Sequence, residues 1–356
     1  MEKSTHTIRP CRLMLRGLAL WQPINASLLM RMYNRFGYVM LILLVTAIIY
    51  FYNIENDNKF YWKKSVNGVI FSATFAVAFF CTKWYYRKGN YSKMLEIELG
   101  PERVHCAKLV KRYNLFALLL WVVCAGQLLW NYFYELQSFH GWYWVVYVYL
   151  AVIGNGWRIC WLILYAYICH VHWRLIQSIH EKFRRYRNEP IEAEQIEDLM
   201  QRFNVLKKKL NKSERALHGI ISLSVAIHVV DMTVYSFAFF SGAFHSRYHE
   251  NVRITIYLLE ILMQHILCLF IKLIPAAIVN SSLRKLVILV GDMCSPLRGE
   301  IRDQMMLYQQ HIHITEQDMG YRILGVKITA RLTGYLLTTL VSVLIAIVHV
   351  DQSKQY

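Results

Sequence analysis

The chain has 356 residues, 56% of them hydrophobic, 14% aromatic and only 18% charged, and it carries a net charge of +17. A soluble domain carries about a quarter charged residues, and here the apolar residues come in long uninterrupted blocks, so a soluble fold is set aside. Nucleic acid, the usual partner of so basic a soluble chain, goes with it. The positive charge becomes a question of which side of a membrane it occupies.

Residues 1–17 are basic and mixed, and no apolar run of signal length ends at a small-residue cleavage site. The first long apolar run is therefore expected to be a retained anchor. Crossing about 30 Å of hydrocarbon at about 1.5 Å per residue takes about 20 mostly apolar residues. Seven stretches qualify in chain order: 38–52, which is slightly short, 66–85, 115–134, 142–169, 220–244, 254–277 and 332–348. The fourth is long enough to tilt or to project past the membrane. Trp and Tyr gather at many of the ends, as in Tyr50 and Tyr52, Trp84 and Tyr85, and Trp142 and Trp144, which is the interfacial belt expected of them.

With the N-terminus inside, 32 of the 40 Lys and Arg residues fall in the inner segments, six fall outside, and Arg158 and Lys272 lie within helices. Positively charged loops stay on the cytoplasmic side. The expected fold is therefore all-α: seven transmembrane helices, N-terminus cytoplasmic and C-terminus extracellular. The segments 1–37, 171–218 and 276–331 are placed in the cytoplasm, helices one to six within 38–275, and the last helix within 332–351. All eight cysteines fall in helices or on the inner side, so no external disulfide is expected. The sequons at Asn25, Asn90, Asn211 and Asn280 fall on the inner side too, as chance matches.

The inner loop 171–218 carries helical patterning. Ile196, Leu199, Phe203, Leu206, Leu210 and Leu217 repeat at a spacing of three to four with one gap at Ser213, and Lys207, Lys208, Lys209 and Lys212 lie largely off that stripe. Residues 171–187 continue the fourth helix in the same style, so packed helices are expected to project below the membrane.

Seven helices invite a G-protein-coupled receptor. The polarity is reversed, however, the external Cys pair of that family is missing, and the last helix has no proline. No internal repeat supports a transporter. No cluster of intramembrane His, Asp or Glu supports an embedded enzyme, and no Walker, dinucleotide, H-E-x-x-H or G-x-S-x-G sequence occurs. His170/His172 and His311/His313 are two apart, which points each pair at different helix faces, so no metal site is expected. Gly154 and Gly156 are read as easing close packing or a bend. No catalytic residue and no cofactor is expected.

The last sixty residues resemble the insect gustatory receptor family. Its seventh helix ends in T-Y, five apolar residues, then Q-F, often with Asp following. Here Ser342 and Val343 are followed by 344–348, then His349, Val350 and Asp351, so the spacing is kept while the letters are substituted. Leu324-Gly325-Val326 resembles the small-apolar-Gly-aromatic element before the final helix, and 301–314 resembles the helix preceding it. The related insect odorant receptors share the architecture.

The resemblance implies a ligand-gated, non-selective cation channel at the plasma membrane of the gustatory neuron dendrite. Four like or related subunits would meet around a pore lined by the last helix, with the projecting helices holding the tetramer together in its lipid surround. A pocket opening outward among the earlier helices would take a small-molecule tastant. The pore residues it implies are Ser342, Val343, Ile345, His349 and Val350, with His349 at the family's pore-facing Gln position or else a solvated residue at a helix end. At a suitable depth for the pocket lie Trp130, Tyr134, Tyr147, Tyr235, Phe239, Glu260 and Gln264, aromatic walls with a few polar groups. Arg158 and Asp231 lie at equal depth and are expected to pair, either as a structural clamp or at a ligand.

Overall fold

The computed structural model describes residues 14, 18, 20, 27–54, 72–73, 75–80, 82–83, 102–135, 148–186, 191–241, 248–294, 297–336, 338–339 and 342. They are almost entirely helical: α1 (Leu28–Ile54), α2 (Glu102–Glu135), a π-helical turn (Leu150–Gly154) opening α3 (Asn155–Tyr186), α4 (Ala193–Ser241), α5 (Tyr248–Cys294) and α6 (Gly299–Asp318). A short antiparallel hairpin follows, β1 (Arg322–Ile323) with β2 (Val326–Lys327). Residues 72–83, where described, are helical, and a last helix begins at 330.

Four helices among the described residues are long and apolar enough to cross a membrane, over Leu28–Thr46, Leu109–Gln127, Val152–Tyr186 and Leu262–Cys294. They overlap the expected first, third, fourth and sixth spans without sharing their bounds. The expected fifth lies largely within α4. The second and seventh are described in part.

The helices overrun the apolar blocks because helical hydrogen bonding does not stop where hydrocarbon does. α1 starts at Leu28 rather than at 38: Ser27 precedes it, its hydroxyl accepting from the Met30 amide at 3.4 Å and its carbonyl from the Arg31 amide at 3.1 Å, which makes it a capping residue. α2 and α4 likewise reach well ahead of their apolar stretches.

The chain divides into two compact units, one of Met1–Tyr167 with Ser224–Ile266, the other of Ile168–Leu223 with Leu267–Tyr356. In the first, α3 is central: every residue from 154 to 167 is buried. A helix apolar on all faces is surrounded on all faces. α1 and α2 instead expose large apolar side chains, among them Leu29, Ile42, Leu119 and Val123, the arrangement of helices whose outer solvent is lipid. The π-helical turn departs from the usual ladder, and the Trp121 indole donates to the Val152 carbonyl within it at 2.8 Å. Gly154 packs against Phe75 and Gly156 against Leu18 and Trp121, so tightly that a Cβ on Gly154 would lie 2.9 Å from Phe75. The two glycines therefore serve close packing, one of the two roles expected of them.

In the second unit the expected stripe on α4 is buried in full: Ile196, Leu199, Phe203, Leu206, Leu210 and Leu217 are at most 2% exposed, and Ser213 fills its gap at 0%. Tyr308 of α6 sits at the centre, its ring stacked on Phe183 at 5.9 Å and edge-on to Phe203 at 6.2 Å, its hydroxyl donating to the Leu199 carbonyl at 3.1 Å. α6 buries Met305, Tyr308, Ile312 and Thr315 on one face, a spacing of three to four that fits the amphipathic reading of 301–314. The described cysteines, Cys124, Cys160, Cys169, Cys268 and Cys294, are buried and none of them is in a disulfide.

Candidate functional site

Two of the expected pocket residues are brought together. Glu260 and Gln264 lie one turn apart on α5, and both bind the same side chain of α2: the Gln127 amide donates to Glu260 Oε2 at 3.0 Å, while its carbonyl accepts from the Gln264 amide. All three are half-buried. In hydrocarbon, polar groups find partners on neighbouring helices because no water is there to take their place. Gln127 is absent from the expected set. Its only sequence signal is that it interrupts the apolar run 115–130, a mark that an interfacial or a packing glutamine would carry equally.

Trp130 and Tyr134 belong to α2, and Tyr235, Phe239 and Asp231 to α4, but their side chains lie outside the described residues, as does Tyr147 altogether. Arg158 is buried on α3 at 6% exposure; its expected pairing with Asp231 lies outside the described side chains. Of the pore residues, Ser342 is helical and exposed, and Val343, Ile345, His349 and Val350 lie outside the described residues.

His170 and His172 diverge as their spacing requires. His172 is fully buried with Nδ1 2.8 Å from the Tyr321 hydroxyl, while His170 stands edge-on to Trp173 with ring centroids 5.1 Å apart. His311 bonds Asn204 at 3.1 Å, and His313 is exposed. Among the described residues, no three His, Cys, Asp or Glu side chains are placed to hold a metal ion.

The segment before the last helix carries a polar network that joins it to the other helices of the second unit. Asn280 of α5 is 3% exposed and uses both ends of its amide: Nδ2 donates to the Tyr321 carbonyl at 2.9 Å and the Ile328 carbonyl at 2.6 Å, and Oδ1 accepts from the Tyr321 amide at 2.9 Å. Leu324 and Gly325 form the hairpin turn, at φ +51° and +80°. The Leu324 amide donates to Ser222 Oγ of α4 at 2.9 Å, and Lys327 binds the Glu316 carboxylate of α6. The sequence marked Asn280 only as a sequon and 324–326 only as part of a family pattern. Neither showed that the two touch.

No protein-family model matches the chain, and no curated protein matches it by sequence. Solved structures do match its fold. The insect olfactory receptor OR5 from Machilis hrabei in complex with eugenol superposes with a TM-score of 0.63 at 10% identity, covering 98% of this chain and 98% of that one. A second structure of that receptor gives 0.60 at 11% identity, covering 95% and 96%. The chain is a helical protein with membrane-spanning helices, and it has the fold of this insect olfactory receptor across nearly its whole length.

Proposed function

We propose that the chain is a chemosensory receptor of the gustatory kind, working as a ligand-gated, non-selective cation channel in the plasma membrane. The observation that carries this reading is a fold likeness spanning 98% of both chains, to a receptor whose structure holds the small molecule eugenol. The gustatory branch is favoured by the kept spacing from Ser342 to Asp351; an olfactory receptor of the same architecture is the second reading, favoured by the identity of the structural neighbour. Four subunits surround a pore lined by the last helix, where Ser342, Val343, Ile345, His349 and Val350 face the ions. The ligand lies among the earlier helices beside Glu260 and Gln264, in a pocket also walled by Trp130, Tyr134, Tyr147, Tyr235 and Phe239. Binding opens the pore by being tighter to the open state.

The test is whole-cell recording from cells expressing the chain, alone and with related receptors, during application of eugenol and a tastant panel, with each terminus tagged. Cation currents together with a C-terminal tag accessible on intact cells and an N-terminal tag hidden until permeabilisation support the channel. The opposite tag pattern, or responses carried only by second messengers, overturns it. A ring of four imidazoles would repel cations when protonated, so His349→Gln should raise conductance at mildly acidic pH. Equal currents in both forms would remove His349 from the pore.

A further inference from the structure

Within the second unit, the last helix begins at a joint built at 320–329. Asn280 grips both ends of it, donating both of its amide hydrogens and accepting one. The grip closes on itself where the Ile328 amide donates to the Tyr321 carbonyl at 3.1 Å. Gly320 stands beside it at φ +114°, a conformation closed to L side chains, and a Cβ there would collide with Asn280 Oδ1.

No slack separates this grip from the helix. Ile328 is held by Asn280 and is 1% exposed. The next residue, Thr329, caps the helix: its Oγ1 accepts from the Leu332 amide at 3.1 Å and its carbonyl from the Thr333 amide at 2.9 Å. Other helices hold the same segment. His172 of α3 meets the Tyr321 hydroxyl, Ser222 of α4 takes the Leu324 amide, and Lys327 is bound by Glu316 of α6. A segment tied to α3, α4, α5 and α6 takes its position from all four.

We propose that the 320–329 joint, with Asn280 as its positioning residue, fixes the direction in which the last helix leaves and transmits movements of α3–α6 to that helix. The positional part stands on geometry alone. The transmission part rests on the channel reading.

The test uses the full chain in lipid nanodiscs and in expressing cells. Asn280→Asp keeps the shape, removes both donated hydrogens and sets a carboxylate against two carbonyl oxygens. Hydrogen exchange should rise about tenfold over 321–328 and through the first turns of the helix at 330–336, while α6 stays protected. A rise that stops at 328 overturns the proposal. Should that variant not yield folded protein, Ser222→Ala removes one bond at Leu324, and the same residues should show a smaller rise; protection like that of wild type there also overturns it. Asn204→Ala, which breaks the surface bond to His311 outside the joint, should leave 321–336 unchanged, and a rise there would show that the effect is not specific to the joint.

In cells, basal current per surface channel should change about threefold in Asn280→Asp. A conducting wild type whose variant carries the same current at every ligand concentration overturns transmission. A wild type that carries no current removes the channel reading, and the exchange measurement still decides the joint.

Discussion

Gln127 of α2 holds Glu260 of α5 at 3.0 Å, and through its other end it also takes the amide of Gln264. One glutamine thereby ties two expected pocket residues to a helix far away in sequence. Hydrogen bonds of this kind within membranes are worth about 0.6 kcal/mol on average and up to about 1.7. Gln127→Leu should cost about 1 kcal/mol, read as a lower unfolding temperature in detergent. Gln264→Leu should cost less, because it leaves the Gln127–Glu260 bond in place. In a double-mutant cycle, Gln127→Leu and Glu260→Leu should couple by about 0.5–1.5 kcal/mol. Additive losses would show that the pair contributes nothing beyond packing.

The hairpin turn is unusual in having Leu324 at φ +51°, next to Gly325 at φ +80°, with Ile323 opposite Val326. Two central residues at positive φ make the turn that favours Asn-Gly, and a branched apolar side chain is a poor occupant of that region. Leu324 is also 67% exposed, so it gains little from burial. Leu324→Asn should stabilise the chain by about 0.5–1 kcal/mol, and Gly325→Ala should cost about 1 kcal/mol. The measurement is thermal unfolding of both variants beside wild type. A destabilised Leu324→Asn would mean that the leucine is held by a contact outside the hairpin.

Much of this fold was legible because its signals are local. Apolar blocks announce α1, α2, α3 and α5. The spacing from Ile196 to Leu217 announces the buried face of α4, and Ser213 breaks the stripe only in polarity, since it is as buried as its neighbours. Element ends were less legible, because Ser27 caps α1 well ahead of the hydrocarbon block and charged residues such as Arg31 are carried within the helix. Of the expected pocket set, the structure joins Glu260 and Gln264, both through Gln127. Gln127 and Asn280 act through partners more than forty residues away, and no periodicity in one segment records what a distant one will bring to it.

Asp198 of α4 is held by Arg202 at 2.8 Å and by Lys182 of α3 at 3.0 Å. The hydrogen bond from Arg202, then that from Lys182, keep its carboxyl below the ordinary carboxylate value. A carboxylate lowered in the folded state contributes above the unfolded value of 3.8, and that contribution is lost as pH falls through the lower folded one. The group is 43% exposed, so solvent and salt screen it. Asp198→Asn should therefore cost no more than about 0.5 kcal/mol at neutral pH and less in high salt. A loss several times larger, measured by denaturation at low ionic strength, would mean that the triad holds α3 to α4 more firmly than its exposure implies.

Tyr308 makes the opposite case, a polar group at the centre of an apolar cluster. Burial pushes its hydroxyl well above the ordinary value of 10.0, since the phenolate would lie among Phe183 and Phe203, out of water. A raised value in the folded state leaves stability intact below pH 10 and removes it as pH rises, because the unfolded chain releases a proton that the folded one keeps. Tyr308→Phe keeps both ring contacts and loses only the bond to the Leu199 carbonyl, for about 1 kcal/mol at neutral pH. Tyr308→Ala should cost about 3–5 kcal/mol through the cavity it leaves. Above pH 10, wild type should lose stability at up to about 1.4 kcal/mol per pH unit more steeply than Tyr308→Phe. Parallel pH profiles for the two would show that the hydroxyl reaches solvent and titrates as an exposed tyrosine does.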